Sequence, residues 1–256
     1  MIEAYFKGID ISEWQGDFDL RPYADQFVII RAGYWDREDM QFRANVKKAQ
    51  DLGMPFGVYW FSESLTSGTA AYEADSCLKV LGDIRPDMGV WLDMENSNYK
   101  DANNFNAAEN AGKISKTFCE KIQLAGYYTG VYCSKSWLKY IQEDCRQYDK
   151  WIASWGSNNG QINDDTSEYG SLLQYTSKLD GGSLDGDISY VTIDHYDPEY
   201  IKPVQLVNRI NHKQLISCLA YLTISGIFGN SEDRRECLGS IYDEVQMEVN
   251  AIYENK

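Results

Sequence analysis

The sequence predicts an α/β protein: a closed barrel of eight strands, irregular in its second half, followed by a small all-helical bundle. Three observations carry this. Short apolar runs rich in β-formers alternate with longer amphipathic stretches, as in a parallel sheet with crossover helices. The amphipathic stretches shrink after the fifth run. After a polar segment with two prolines, Asp194–Pro203, the pattern turns wholly helical from Val204 onward.

Phe6–Ile11 reads as the first strand and Phe27–Ala32 (FVIIRA) as the second. Phe42–Leu52 has helical spacing at Phe42, Val46, Ala49 and Leu52, and Gly53 stops it. Phe56–Phe61 (FGVYWF) is a third strand, Ser67–Leu81 a helix ending at Gly82, and Met88–Asp93 the fourth strand. Ala107–Leu124 is a helix stopped near Gly126, and Tyr127–Tyr132 the fifth strand. Ser136–Ile141 is a short helix. Lys150–Ala153, Leu172–Tyr175 and Leu184–Tyr190 are three strands joined mainly by loops. The expected organisation is a barrel over 1–193, a linker over 194–203 and a helical module over 204–256. In that module Ile241, Val245, Val249 and Ile252 share one face, and Ser231-Glu232-Asp233 offers a cap.

The 256 residues suffice for a proper core, with 43% apolar and 14% aromatic content. A net charge of −15 argues against nucleic acid and against anionic membrane as partners. The six cysteines form no C-x-x-C and the only histidines are His195 and His212, so zinc-site spacing is absent. The cysteines read as buried or free thiols of a protein made in a reducing cytoplasm. The N-terminal residues have no basic and apolar signal-peptide regions, and no run of 18 apolar residues occurs. The expectation is synthesis in the cytoplasm without a signal peptide.

The chemistry concentrates at strand ends. In Val90-Trp91-Leu92-Asp93-Met94-Glu95, Asp93 and Glu95 are spaced i, i+2 and so share one face of a strand, about 6.5–7 Å apart. Paired carboxylates at the carboxyl end of a barrel strand suit glycosidic cleavage. Asp10 ends the first strand, and Asp185 and Asp187 flank Gly186 at the last. First and last strands are neighbours in a closed barrel, which would bring Asp10 and Asp185 across from Asp93 and Glu95. Aromatics are abundant, with 19 Tyr and 7 Trp, and a set of them clusters near the same ends: Trp14, Tyr34, Trp35, Tyr59, Trp60, Phe61, Tyr132, Trp151 and Trp155. Flat faces with polar rims suit sugar rings as well as cores. Tyr59 and Phe61 are expected to face inward and Trp60 outward.

With these residues in place, the chain resembles the family 25 glycoside hydrolases, the lysozyme family common among phage endolysins and bacterial autolysins. Gly8-Ile9-Asp10-Ile11-Ser12-Glu13-Trp14-Gln15-Gly16 matches its opening G-[IV]-D-[IV]-S-x-[WH]-Q-G. Ile30–Tyr34, then Asp39, Phe42, Asn45, Ala49 and Gly53, then Gly57–Ser62, match its second strand, following helix and third strand. Trp91-Leu92-Asp93-Met94-Glu95 matches its D-x-E, Thr129–Tyr132 and Trp151–Ala153 its later strands, and Gln174-Tyr175-Thr176-Ser177 with Leu184-Asp185 its closing motif.

The resemblance implies an irregular (β/α)5(β)3 barrel of TIM type and cleavage of the β-1,4 bond between N-acetylmuramic acid and N-acetylglucosamine. Its partner would be the glycan strands of bacterial peptidoglycan, reached after holin-type release, and no cofactor or metal is implied. Glu95 matches the general acid, with Asp93 beside it and Asp10 and Asp185 in the other acidic positions. The mechanism implied is retaining and substrate-assisted, the 2-acetamido group attacking the anomeric carbon with Asp93 orienting it. An acid that works near neutral pH needs burial and neighbouring carboxylates to hold its proton. Tyr34, Tyr59, Phe61, Tyr132, Trp151, Gln174 and Asp187 are the candidates for contacting sugar. The closing motif departs from the family's usual D-x-N, reading Asp185-Gly186-Asp187, so the fourth acid is Asp185 or, with a one-step slip, Asp187.

The tail resembles one degenerate copy of a helical cell-wall-binding repeat, in Ser225-Gly226-Ile227-Phe228-Gly229-Asn230 through Arg234, Leu238 and Tyr242–Asn250. Its other reading is a homodimerisation bundle. Three further readings compete for the barrel: a rim of acids holding Mg²⁺ or Mn²⁺, a non-catalytic carbohydrate binder, and a chitinase-like hydrolase, since D-x-E occurs there too.

Overall fold

In the computed structural model, the described residues are 6–95, 107–198 and, in the tail, 216–217, 219–220, 223–224, 234–235 and 238–254. The chain divides into two compact units, Met1–Ile201 and Lys202–Lys256.

The first unit is built on one closed sheet. Its strands are β1 (Phe6–Ile11), β2 (Phe27–Tyr34), β3 (Arg37–Glu38), β4 (Phe56–Phe61), β5 (Val90–Asp93), β6 (Thr129–Ser134), β7 (Asp149–Ala153), β8 (Leu172–Leu179) and β9 (Leu184–Ser189). The order is β1-β9-β8-β7-β6-β5-β4-β2-β3, and β1 also pairs with β2, which closes eight strands into a ring with β3 as a short hairpin arm on β2. Helices α1 (Phe42–Leu52), α2 (Ser67–Leu81), α3 (Ala107–Leu124) and the short α4 (Leu138–Ile141) cross between strands. The β1–β2 connection carries two 3-10 turns, Glu13–Gln15 and Arg21–Tyr23.

Local chemistry sets these elements. In α1, Phe42, Asn45, Val46 and Ala49 form the buried stripe, and Gly53 ends the helix in the left-handed conformation at φ 66°. Thr66 caps α2 by accepting from the Thr69 N–H, and Thr69 answers with a reciprocal bond to Thr66 N.

One expectation is corrected. The barrel is not wholly parallel: β9 runs antiparallel to both β8 and β1. Only four residues separate β8 from β9, with Asp180 and Gly181 at φ 53° and 75°. Such a connection makes a hairpin, whereas a parallel return needs a dozen residues or more. Asp185 therefore sits at the amino end of its strand, and reaches the same rim as Asp10 because that strand points the other way.

Strand alternation gives the barrel two apolar layers. Ile9, Ile11, Val28, Ile30, Val58, Trp60, Val90, Leu92, Val131 and Ile152 face outward against Val46, Ala49, Ala70, Ala74, Ile114, Phe118 and Ile122 of the helices. Phe27, Ile29, Trp91, Tyr128, Tyr132, Trp151, Leu172 and Tyr196 fill the interior. Trp151 is its hub, with Tyr132 at 4.6 Å, Tyr59 at 6.1 Å and Trp91 at 6.3 Å between ring centroids, all edge to face. Gly130 admits Trp91 here: a Cβ on it would lie 2.4 Å from the indole. At the end opposite the acids, the 3-10 helix Ile193–Tyr196 brings His195 Nε2 to 3.0 Å from Tyr128 Oη, which donates to Asp149 at 2.7 Å. Cys77, Cys119, Cys133 and Cys145 are buried free thiols.

In the second unit, α5 (Tyr242–Glu254) buries Val245 and Val249 among Ile216, Ala220 and Leu238, with Ile241 and Ile252 packed beside them. The expected linker lies outside the described residues from 199 onward, as do the repeat residues 225–230 and the cap at 231–233. Among the described residues, no helix is long and apolar enough to cross a membrane.

Candidate active site

The interior face of β5 reads Trp91, Asp93, and then Glu95 just past its end, while Val90, Leu92 and Met94 face the helices. The i, i+2 spacing thus projects both acids into one cavity of about 180 Å³ at the barrel mouth. Asp10 and Asp185 face them as directly paired residues of β1 and β9. Tyr59, Tyr132, Trp151, Trp155 and Gln174 complete the lining.

Gln174 ties the far wall together. Its Nε2 donates to Asp10 Oδ2 at 2.8 Å, and its Oε1 accepts from Tyr132 Oη at 3.0 Å and from Trp155 Nε1 at 2.9 Å. With both ends engaged, the amide presents its N–H to Asp10 in one orientation. Asp10 and Asp93 are each 6% exposed. Burial pushes both carboxyls well above the usual range, with the Asp187 charge adding most to Asp10 and the Glu95 charge to Asp93. Burial, then Asp10 and Glu95, lift Asp185 to about 8. The Tyr59 and Tyr132 phenols are raised by burial and by the same acids. Burial and mutual repulsion thus bias Asp10, Asp93 and Asp185 toward their protonated forms.

Behind this cluster lies Arg31, on the interior face of β2 two residues after Ile29. Its Nη2 meets Glu13 at 2.7 Å and its Nε meets Asp39 at 2.7 Å. It draws the β1 and β3 loops together: Asp39 also accepts from Glu13 N at 2.9 Å and Gln41 N at 2.8 Å. The guanidinium charge opposes the rise at Asp93.

Eight of the eleven expected site residues line the cavity: Asp10, Asp93, Glu95, Asp185, Tyr59, Tyr132, Trp151 and Gln174. Three stand elsewhere. Tyr34 and Phe61 pair with each other at the ends of β2 and β4, half-buried on the rim outside the cavity lining. A register shift between Arg31 and Gly33 brings Tyr34 level with Phe61. Asp187, expected against substrate, is completely buried and does not line the cavity, because β9 descends from Asp185 into the barrel. Trp155 and Arg31 were not among the expected site residues. Trp155 continues the interior phase of Trp151 and Ala153 by one more step. Arg31 is a charge in an otherwise apolar strand, in phase with Phe27 and Ile29, and a charge so placed needs buried partners. Among the described residues, no group of three or more His, Cys, Asp or Glu is arranged to hold a metal ion.

Compared with known families, residues 9–184 match glycosyl hydrolases family 25. The chain belongs to that family. It is thus a glycoside hydrolase by family, and the lining of its acid-lined cavity lies within the matched span except for Asp185, one residue past its end. Solved structures agree. The autolysin LytC of Streptococcus pneumoniae is 25% identical with a TM-score of 0.61, over 72% of this chain and 46% of LytC, so the match spans under half of that larger protein. A family 25 glycosyl hydrolase from Bacillus anthracis is 23% identical, TM-score 0.62, over 77% of this chain and 94% of that one. The catalytic domain of endolysin ply40, from a phage of Listeria monocytogenes, is 22% identical, TM-score 0.62, over 79% and 98%. No curated protein matches the sequence.

Proposed function

We propose that this family 25 protein is a peptidoglycan muramidase, cleaving the β-1,4 bond between N-acetylmuramic acid and N-acetylglucosamine with retention. The observation that carries the reading is the convergence of Glu95 and Asp93, from one strand end, with Asp10 and Asp185 across a cavity walled by tyrosine and tryptophan. Glu95, half-buried at the mouth, protonates the leaving oxygen. The substrate's 2-acetamido group attacks the anomeric carbon from the opposite face, and Asp93 orients it and balances the positive charge that develops. Asp10 and Asp185 hold the same intermediate from the far wall. Water then opens it, with Glu95 as base. Tyr59, Tyr132, Trp151 and Trp155 offer faces and polar edges to the sugar rings.

Support comes from the neighbours' own ligands: LytC has been solved with a synthetic peptidoglycan ligand, and the Cpl-1 endolysin, 22% identical, with a peptidoglycan analogue. The test is digestion of purified peptidoglycan and mass spectrometry of borohydride-reduced fragments, wild type against Glu95→Gln. Reduced muramic acid ends that disappear in Glu95→Gln are the expected result. Reduced glucosamine ends would replace the muramidase with a glucosaminidase, and an active Glu95→Gln would remove Glu95 as the acid.

A further inference from the structure

The rim of the cavity carries a path of aromatic rings that the proposed chemistry leaves without a task. Tyr59 lines the cavity, and Phe61 follows it two residues on, on the same face of β4. Tyr34 pairs with Phe61 across the sheet, and the Arg31 guanidinium lies over its ring, 5.4 Å from the centroid. The chain then turns at once, since Trp35 and Asp36 alone join β2 to β3. Trp35, half-buried, meets Tyr72 of α2, with ring centroids 5.6 Å apart and planes tilted by 53°. Tyr72 is 49% exposed. These rings lead from the cavity wall to the edge of the barrel, where the β2–β3 hairpin meets the first half of α2.

Trp35 holds its place against its backbone preference. Its φ is 51°, in the left-handed region, where a Cβ crowds the following carbonyl. It is the first residue of a two-residue hairpin turn, and a turn with positive φ at that residue favours glycine there. The hairpin has other anchors. Arg43 of α1 bonds Glu38 of β3 at 2.7 Å and also reaches the Val80 carbonyl of α2. Asp39, just after β3, is held by Arg31 at 2.7 Å. A large ring at a position suited to glycine, on a hairpin fixed by other bonds, points to a task outside the fold's own packing.

We propose that Trp35 and Tyr72 form a distal sugar subsite, which stacks a residue of the glycan strand remote from the bond that is cut. This rests on the muramidase reading above. A polymer cut at an internal bond continues past the cavity and has to cross the rim, and the rings are continuous with the cavity wall on this side. Pyranose rings present C–H faces to aromatic rings and hydroxyls to their polar edges. With a net charge of −15, the chain gains no long-range attraction to an anionic wall. Stacking away from the reacting centre supplies affinity for the polymer instead, and such remote contacts help to hold the reacting sugar in place.

The experiment compares the full chain with Trp35→Gly and Tyr72→Ala on two substrates, a peptidoglycan tetrasaccharide and peptide-free glycan strands of many repeats. On the long strands kcat/KM is expected to fall about tenfold in Trp35→Gly and about threefold in Tyr72→Ala, against less than about twofold on the tetrasaccharide. Glycine suits the turn, so the thermal midpoint of Trp35→Gly should stay within about 4 °C of wild type. Calorimetric binding of the long strands to Glu95→Gln is expected to weaken about tenfold when Trp35→Gly is added. An equal loss on both substrates, or a larger fall in the midpoint, would make the rings a packing contact and overturn the proposal. So would unchanged turnover and binding of the long strands. If wild type releases no reduced muramic acid ends, the muramidase reading fails, while the binding comparison still decides the subsite.

Discussion

Replacing Arg31 with methionine tests how the rim is held. The guanidinium is 9% exposed and meets Glu13, 13% exposed, and Asp39, fully buried, each at 2.7 Å. Methionine keeps much of the aliphatic volume but strands two adjacent carboxylates. Removing one partner of a buried ion pair costs about 3–5 kcal/mol. Asp39 retains backbone donors from Glu13 and Gln41, which places the expected loss near the lower end, about 3 kcal/mol. For a unit of this size each kcal/mol moves the midpoint by about 2–4 °C, so the expected drop is about 6–12 °C. Thermal and urea unfolding measure it. The double variant Arg31→Met, Glu13→Gln removes one of the two stranded charges and leaves Asp39 on its backbone donors, so it should recover part of the loss. A single variant within about 1 kcal/mol of wild type, or a double variant no more stable than the single one, would refute the buried-pair account.

Two further predictions follow from the packing. Gly130→Ala places a methyl 2.4 Å from Trp91 and 2.7 Å from the Asp149 carbonyl; it should cost about 1–3 kcal/mol in urea unfolding, and slow turnover because Trp91 lies two residues before Asp93 on the same face. Glu73, fully buried on α2, accepts from Ser62 Oγ at 2.8 Å and Glu63 N at 2.7 Å, and burial lifts its carboxyl to about 7. The folded state thus holds a proton that the unfolded chain releases near 4.5, so wild-type stability should fall as pH rises from about 4.5 to 7, by up to about 3 kcal/mol, and Glu73→Gln should flatten that slope; equal slopes in the two proteins would count against it.

Short-range pattern was enough for much of this molecule. Phe42–Leu52, Phe56–Phe61, Ser67–Leu81 and Ala107–Leu124 form the elements their periodicity predicts, because amphipathic spacing and terminal glycines act within one or two turns. The Asp93–Glu95 pairing was legible for the same reason: strand alternation alone puts i and i+2 on one face. The direction of β9 was harder, since an apolar run reads alike in both senses; the clue was the short Gly-rich link, which permits only a hairpin. Asp185 and Asp187 are two residues apart and chemically identical, yet one lines the cavity and the other is sealed beneath it. That distinction, like the Gln174 bridge from Tyr132 to Asp10 and the Arg31 clamp on Glu13 and Asp39, joins residues from different strands and loops. Burial depth and long-range hydrogen bonds depend on which residues meet in space, and closure of the barrel brings them together; local spacing carries no record of it.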